Sequence, residues 1–366
     1  MGLIKDIYSY SFYERFAAAL APVLTSFDQQ KFISMMLGED FENKEWKDRM
    51  KHTTRIFHEF LPASYPEAIK LIEQLINKLR ADQFGEDSLV FMFLPDYIET
   101  YGLEDFETSV KALEFVTQFV SCEFAVRPFL IKYGVKMVDQ MQAWSLHESY
   151  KVRRFASEGS RPRLPWAMAI PELKKNPYLL LPLLENLKND PSEWVRRSVA
   201  NNINDIAKGH PEVVLDIAKR WAGQSKETDA IIKHGSRTLL KQGHPEILKY
   251  YGLESENAEL SDFKILTKEV KIGENLDFTF TVYNNTAAEQ KIRLEYAVYY
   301  VRQNGLLAKK VFKISERIYQ PYEKAVILRT QKFILITTKK FYAGSHQLSV
   351  ILNGEEKGTE NFELLP

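Results

Sequence analysis

The spacing of apolar residues changes once along the chain, near residue 255. Before that point they recur every three or four positions, and beyond it they alternate with polar ones. Val213, Val214, Ile217, Ala218 and Trp221 show the first pattern, one face of an α-helix. The runs from Leu276 to Val282 and from Ile292 to Tyr300 show the second, a strand with one buried face. Further strand-like runs lie near 307–314, 325–336, 345–353 and 359–364. Turn signals at Asn284-Asn285, Asn304-Gly305, Gly344-Ser345 and Asn353-Gly354 separate several of them. About seven short antiparallel strands in about 100 residues predict an immunoglobulin-like sandwich. It lacks the Cys…Trp…Cys core of antibody domains.

The helical part repeats. Tyr65-Pro66-Glu67, Asn176-Pro177-Tyr178, His210-Pro211-Glu212 and His244-Pro245-Glu246 share one punctuation, and the last three prolines are 34 residues apart. Proline in the first helical turn has a preset φ and no N–H to satisfy, so each marks a helix start. A second series interleaves: Tyr150-Lys-Val-Arg-Arg, Trp194-Val-Arg-Arg and Ile231-Ile-Lys-His align on Val152, Val195 and Ile232, spaced by 43 and 37 residues. Paired helices at this period predict an α-solenoid of the HEAT or armadillo kind. The N-terminal helices, for example 64–80 and 106–126, are less regular, as capping units are. The polar, acidic stretch 254–262 reads as a connection. The expected architecture is therefore an all-α HEAT-like solenoid (1–255), a linker (256–262) and a smaller all-β immunoglobulin-like sandwich domain (263–366).

The chain has 366 residues and no net charge. That balance hides a partition. Residues 1–126 carry 12 Lys+Arg against 21 Asp+Glu, residues 127–245 carry 20 against 12, and residues 261–366 carry 16 against 12. A basic block between acidic flanks can hold a polyanion site inside a neutral protein. Paired lysines at Lys309-Lys310 and Lys339-Lys340 are candidate contacts in the second domain. No run of about 18 apolar residues predicts a membrane span, and the opening MGLIKDIYSYSFYERF has no apolar leader core. The single cysteine, Cys122, excludes an internal disulfide, fits a cytoplasmic location and reads as a small core residue. Phosphate-binding, nucleophile-elbow and zinc-protease motifs are absent, and the seven histidines are scattered, so no metal or organic cofactor is expected.

Polar stripes carry more. Arg197, Asn201 and Asp205 follow one another at intervals of four on the helix whose apolar face is Val195, Val199, Ile203 and Ile206. Arg154 and Glu158 repeat the spacing one unit earlier, and Glu123 and Arg127 do so before that, closed by Pro128. Three successive helices would carry an acid and an arginine on a common side. Such pairs also occur as plain surface ion pairs worth a few tenths of a kcal/mol. Trp166 follows the Arg161-Pro-Arg163 turn and Trp194 opens the Arg196-Arg197 helix. Arginine interleaved with tryptophan can grip a phosphate backbone and stack on a base. These patterns leave three readings open: an enzyme acting on DNA, a non-catalytic nucleic-acid binder, and a HEAT scaffold for protein partners.

The long motifs narrow the choice. VRRFASEGSRPRLPW (152–166), DPSEWVRRSVANNINDIAKGHPE (190–212) and KHGSRTLLKQGHPE (233–246) resemble the AlkC branch of the AlkC/AlkD-type DNA alkylation-repair glycosylases. SCEFAVRPF (121–129) and FYERFAAAL (12–20) match as well, and the resemblance spans essentially the whole chain. It implies a monofunctional, cofactor-free enzyme, monomeric and acting on double-stranded DNA. Such an enzyme removes cationic N-alkylated bases, 3-methyladenine and 3-methylcytosine, without a base-flipping pocket. By motif, Glu123, Glu158 and Asp205 are the catalytic acids, with Asp205 expected to orient the water. Arg154, Arg161, Arg163, Trp166, Trp194 and Arg197 are the expected DNA contacts.

Overall fold

The computed structural model describes residues 3–38, 40–253, 255–256, 258–335 and 340–366. It divides into two compact units, Met1–Gly235 and Ser236–Pro366. The first is entirely helical among its described residues. Each proline-marked start is a helical start: Tyr65–Ala81, the 3₁₀ turn Pro177–Leu180 leading into Leu181–Leu187, and Pro211–Trp221. The second series is also helical, at Tyr150–Gly159, Glu193–Ala207 and Lys226–Gly235. The middle one packs against both others. Gly235 allows the closer of these approaches, since a Cβ there would lie 2.6 Å from Cγ2 of Ile203. No described helix is long and apolar enough to cross a membrane.

The N-terminal helices are filled with aromatic rings rather than with repeat aliphatics. Phe16 and Phe93 meet edge-to-face at 5.2 Å, and Phe57 packs on both. The expected helix 106–126 is broken: it spans Phe106–Thr117, and a new helix begins at Val126 and runs to Tyr133. Pro128 lies in the first turn of that new helix, so it opens a helix rather than closing one.

The second unit holds two short helices, Arg237–Lys241 and Pro245–Tyr250, and two sheets. Those helices, read as the last repeat, group with the strands. Gly354 (φ +81°) turns between two of the strands, and a Cβ on it would lie 2.9 Å from Gly243 Cα and 2.6 Å from Leu248 Cδ1. The strands are β1 (Ala258–Ile265), β2 (Glu269–Lys271), β3 (Asn275–Asn284), β4 (Gln290–Val301), β5 (Leu307–Tyr319), β6 (Lys324–Lys332), β7 (Gly344–Leu352) and β8 (Glu355–Leu365). One sheet runs β1-β3-β6 and the other β2-β8-β7-β4-β5. Alternate residues Leu276, Phe278, Phe280 and Val282 of β3 join Leu294, Val298 and Val350 in the core between them.

Most of the segment expected as a linker is β1, paired with β3 from Ala258↔Asn284 onward. Its polar composition is that of an outer strand, with Leu260 and Phe263 packed inward against the core. Asn257 lies outside the described residues, as does Lys339 of the second lysine pair. Of the first pair, Lys309 is bound to Glu356 and Lys310 lies over the ring of Phe312.

Candidate active site

The helix Glu193–Ala207 uses two faces. Val195, Val199, Ile203 and Ile206 are buried, as expected. Its buried polar face is Ser198, Asn202 and Asp205, not Arg197, Asn201 and Asp205. At 100° per residue, eight positions drift by about 80°, whereas seven return to within about 20°. Asp205 therefore sits below Ser198, and Arg197 is left exposed.

This polar face meets the end of the helix Tyr150–Gly159. Ser198 Oγ donates to Glu158 Oε2 at 2.6 Å, and Asn202 Nδ2 donates to the Ser157 carbonyl at 2.9 Å. Arg161 then joins the two acids. Its Nη1 donates to Glu158 Oε1 at 2.6 Å and its Nε to Asp205 Oδ2 at 2.9 Å. Burial opposes the charge on Arg161, but Glu158 and Asp205 outweigh it and hold the guanidinium pKa above its ordinary value. Arg161, expected at a phosphate, is 7% exposed and engaged on both sides by carboxylates.

Glu123 arrives differently. It lies in the turn before Val126–Tyr133, not on a helix. The Ser121 hydroxyl and Arg154 Nη1, the latter at 3.0 Å, both donate to its Oε2. Arg154 is thus paired with Glu123 of the preceding unit, not with Glu158 in its own helix. Glu123 Oε1 has no hydrogen-bond partner among the described residues, and the side chain keeps 18% of its surface.

A cleft of about 750 Å³ opens between these groups. Its walls bring together Glu123, Arg154, Glu158, Arg161, Trp166 and Trp194, six of the nine residues expected from sequence. Trp166 and Trp194 are 76% and 62% exposed, so neither is a core tryptophan. Apolar side chains such as Trp46, Met92, Phe124 and Leu164 line the rest. Asp205 is outside the cleft. It borders a small neighbouring hollow with Arg163 and His210, and Lys208 Nζ donates to its Oδ1 at 2.9 Å. Both Asp205 oxygens are therefore occupied by cations.

Sequence reading missed Ser121, Ser198 and Lys208. The seven-residue interval between Ser198 and Asp205 was the available signal for one of them. Nothing in the local pattern marks Ser121, whose role depends on a turn inside an expected helix.

Comparison with known proteins follows the same outline. A family model described as HEAT repeat matches residues 180–210. One described as the C-terminal Ig-like domain of the uncharacterised protein YhaZ matches 259–366. Over 365 residues the chain is 41% identical to uncharacterized protein YhaZ of Bacillus subtilis (strain 168), covering 100% of both. It also matches a solved structure, the Pseudomonas fluorescens alkylpurine DNA glycosylase AlkC bound to DNA containing an abasic site analog. That match has a TM-score of 0.92 and 34% identity, over 100% of each chain.

Proposed function

This chain belongs to the AlkC-type HEAT-repeat DNA glycosylases, and from that premise we propose that its cleft hydrolyses the N-glycosidic bond of alkylated bases in duplex DNA. The carrying observation is a pair of carboxylates, Glu123 and Glu158, held by separate arginines and lining one cleft together with two exposed tryptophans. The substrates are cationic bases, 3-methyladenine and 3-methylcytosine. The protein acts as a monomer on double-stranded DNA.

Alkylation of a ring nitrogen puts positive charge on the base and weakens its bond to the sugar. The base leaves neutral, so no general acid is required. Positive charge moves to the deoxyribose as the bond breaks, giving an oxocarbenium-like centre. Fixed carboxylates beside that centre stabilise it without reorganising. Glu158 suits this role: it is 7% exposed, and Ser198 and Arg161 hold its oxygens in place. Glu123 suits the other task, orienting water, because Oε1 is uncommitted while Oε2 is tied. Water attacks C1′ and loses a proton to the carboxylate, which completes hydrolysis. Asp205, expected to hold the water, serves instead to anchor Arg161.

Trp166 and Trp194 offer π faces to the cationic base, each worth about 0.5–2 kcal/mol. The open mouth of the cleft suits a base that is not enclosed in a sealed pocket. Arg163 and Arg197, both exposed, are the candidates for phosphate contact. The direct test is incubation of the purified protein with methylated duplex DNA and chromatography of the released bases. Release of 3-methyladenine supports the reading. DNA binding without release would leave a non-catalytic binder, and neither would leave a scaffold.

A further inference from the structure

The segment 160–169 carries Trp166 to the cleft and contains no helix or strand. Its internal bonds are long: Ala167 N–H to the Leu164 carbonyl and Ile170 N–H to the Pro162 carbonyl, each 3.4 Å. Trp166 has φ +66°, in the left-handed region that bulky residues rarely adopt. The residue is 76% exposed and supplies little packing to hold that conformation. A backbone state of this kind persists only when its surroundings impose it.

Two side chains from the N-terminal helices do so. Arg127, with no exposed surface, reaches both ends of the segment. Its Nη1 donates to the Gly159 carbonyl at 3.1 Å and to the Arg161 carbonyl at 2.9 Å, and its Nε donates to the Met168 carbonyl. With the ends fixed, only the tip can move. Lys47 Nζ donates to the Trp166 carbonyl itself at 2.8 Å. Lys47 sits in the first turn of the helix Trp46–His58, whose Trp46 lines the same cleft. A short segment pinned at both ends loses little further entropy when a third point is fixed. One charge-assisted bond then suffices to select the tip conformation.

We propose that Lys47 is a positioning residue that acts through the Trp166 carbonyl, setting the indole at the cleft wall before DNA arrives. This rests on the glycosylase reading for its kinetic consequence but not for its structural one. Lys47 is exposed, so its replacement leaves the helical core intact.

The test compares full-length Lys47→Met and Lys47→Arg with the unaltered protein. Hydrogen exchange of the amides in 163–169 should rise roughly 3–10-fold in Lys47→Met and return in Lys47→Arg, which restores the donor. Single-turnover release of 3-methyladenine at saturating DNA should fall by a similar factor, with the salt dependence of binding unchanged. Unaltered exchange in Lys47→Met overturns the proposal. So does a salt slope reduced by about 1, which would make Lys47 a phosphate contact. If the unaltered protein releases no base, the glycosylase reading fails, and the exchange data alone decide whether Lys47 holds the segment.

Discussion

Ser198 and Glu158, forty positions apart, meet at 2.6 Å between adjacent helices, hydroxyl to carboxylate. The bond fixes one oxygen of a buried acid whose other oxygen is fixed by Arg161. Ser198→Ala removes a donor without adding volume. A hydrogen bond to a buried charge is worth about 1.5–3 kcal/mol. Single-turnover release should therefore fall roughly 10–100-fold while DNA affinity stays within about twofold.

The three acids should separate by kinetics. Glu123→Gln and Glu158→Gln keep shape and remove the charge proposed to face the reacting sugar, so each should lower the release rate roughly 10²–10³-fold with binding intact. Asp205→Asn acts one step away, through Arg161, and should cost the rate only about tenfold. It should also lower the melting temperature, because Arg161 and Lys208 lose a buried counter-charge. Single-turnover assays and calorimetry on the three variants check the order. A wild-type rate for Glu123→Gln would dismiss the water-orienting role.

Arg197 and Arg154 should part company. Arg197 is exposed, and its replacement by alanine should weaken binding to all duplexes and reduce the salt slope of log K by about 1. Arg154 is paired with Glu123. Arg154→Ala should chiefly lower the release rate, by leaving that carboxylate loose. Titrations at several salt concentrations, alongside single-turnover assays, distinguish the two.

Stability should carry a pH signature from Glu99. Burial, then the nearby Asp96 charge, raises its carboxyl pKa to about 7 despite Lys51 and Lys47. Between pH 4.5 and 7 the folded state holds a proton that the unfolded state releases. This contribution is thus present at low pH and is lost as pH rises through 7. Glu99→Gln should melt roughly 2–4 °C above the unaltered protein at pH 8, if it recovers about 1 kcal/mol. The gap should close near pH 5. Thermal melts across that range read it directly.

Much of this was legible because helical and strand periods are local properties. The proline starts, the repeat spacing and the alternation in β3 and β4 depend on neighbours in sequence. Long motifs picked out the candidate acids and Trp166, of which Glu123, Glu158 and Trp166 line one cleft. The break after Thr117 was not, because Cys122 and Ala125 continue an apolar pattern that a helix would accept. The partners of Arg161 were not legible for a related reason. In sequence it belongs to a basic turn, while in the fold that turn folds under two carboxylates, a contact 44 residues distant in the case of Asp205. β1 was taken for a linker because an outer strand shows few apolar residues.

Cys122 lies next to Glu123 and has no exposed surface, and burial first of all holds its thiol pKa well above the usual range. The electrophiles that methylate DNA bases also attack thiolates. A sealed, protonated sulfur is a poor nucleophile. The fold therefore keeps its single thiol, the neighbour of Glu123, away from solvent and from soluble electrophiles.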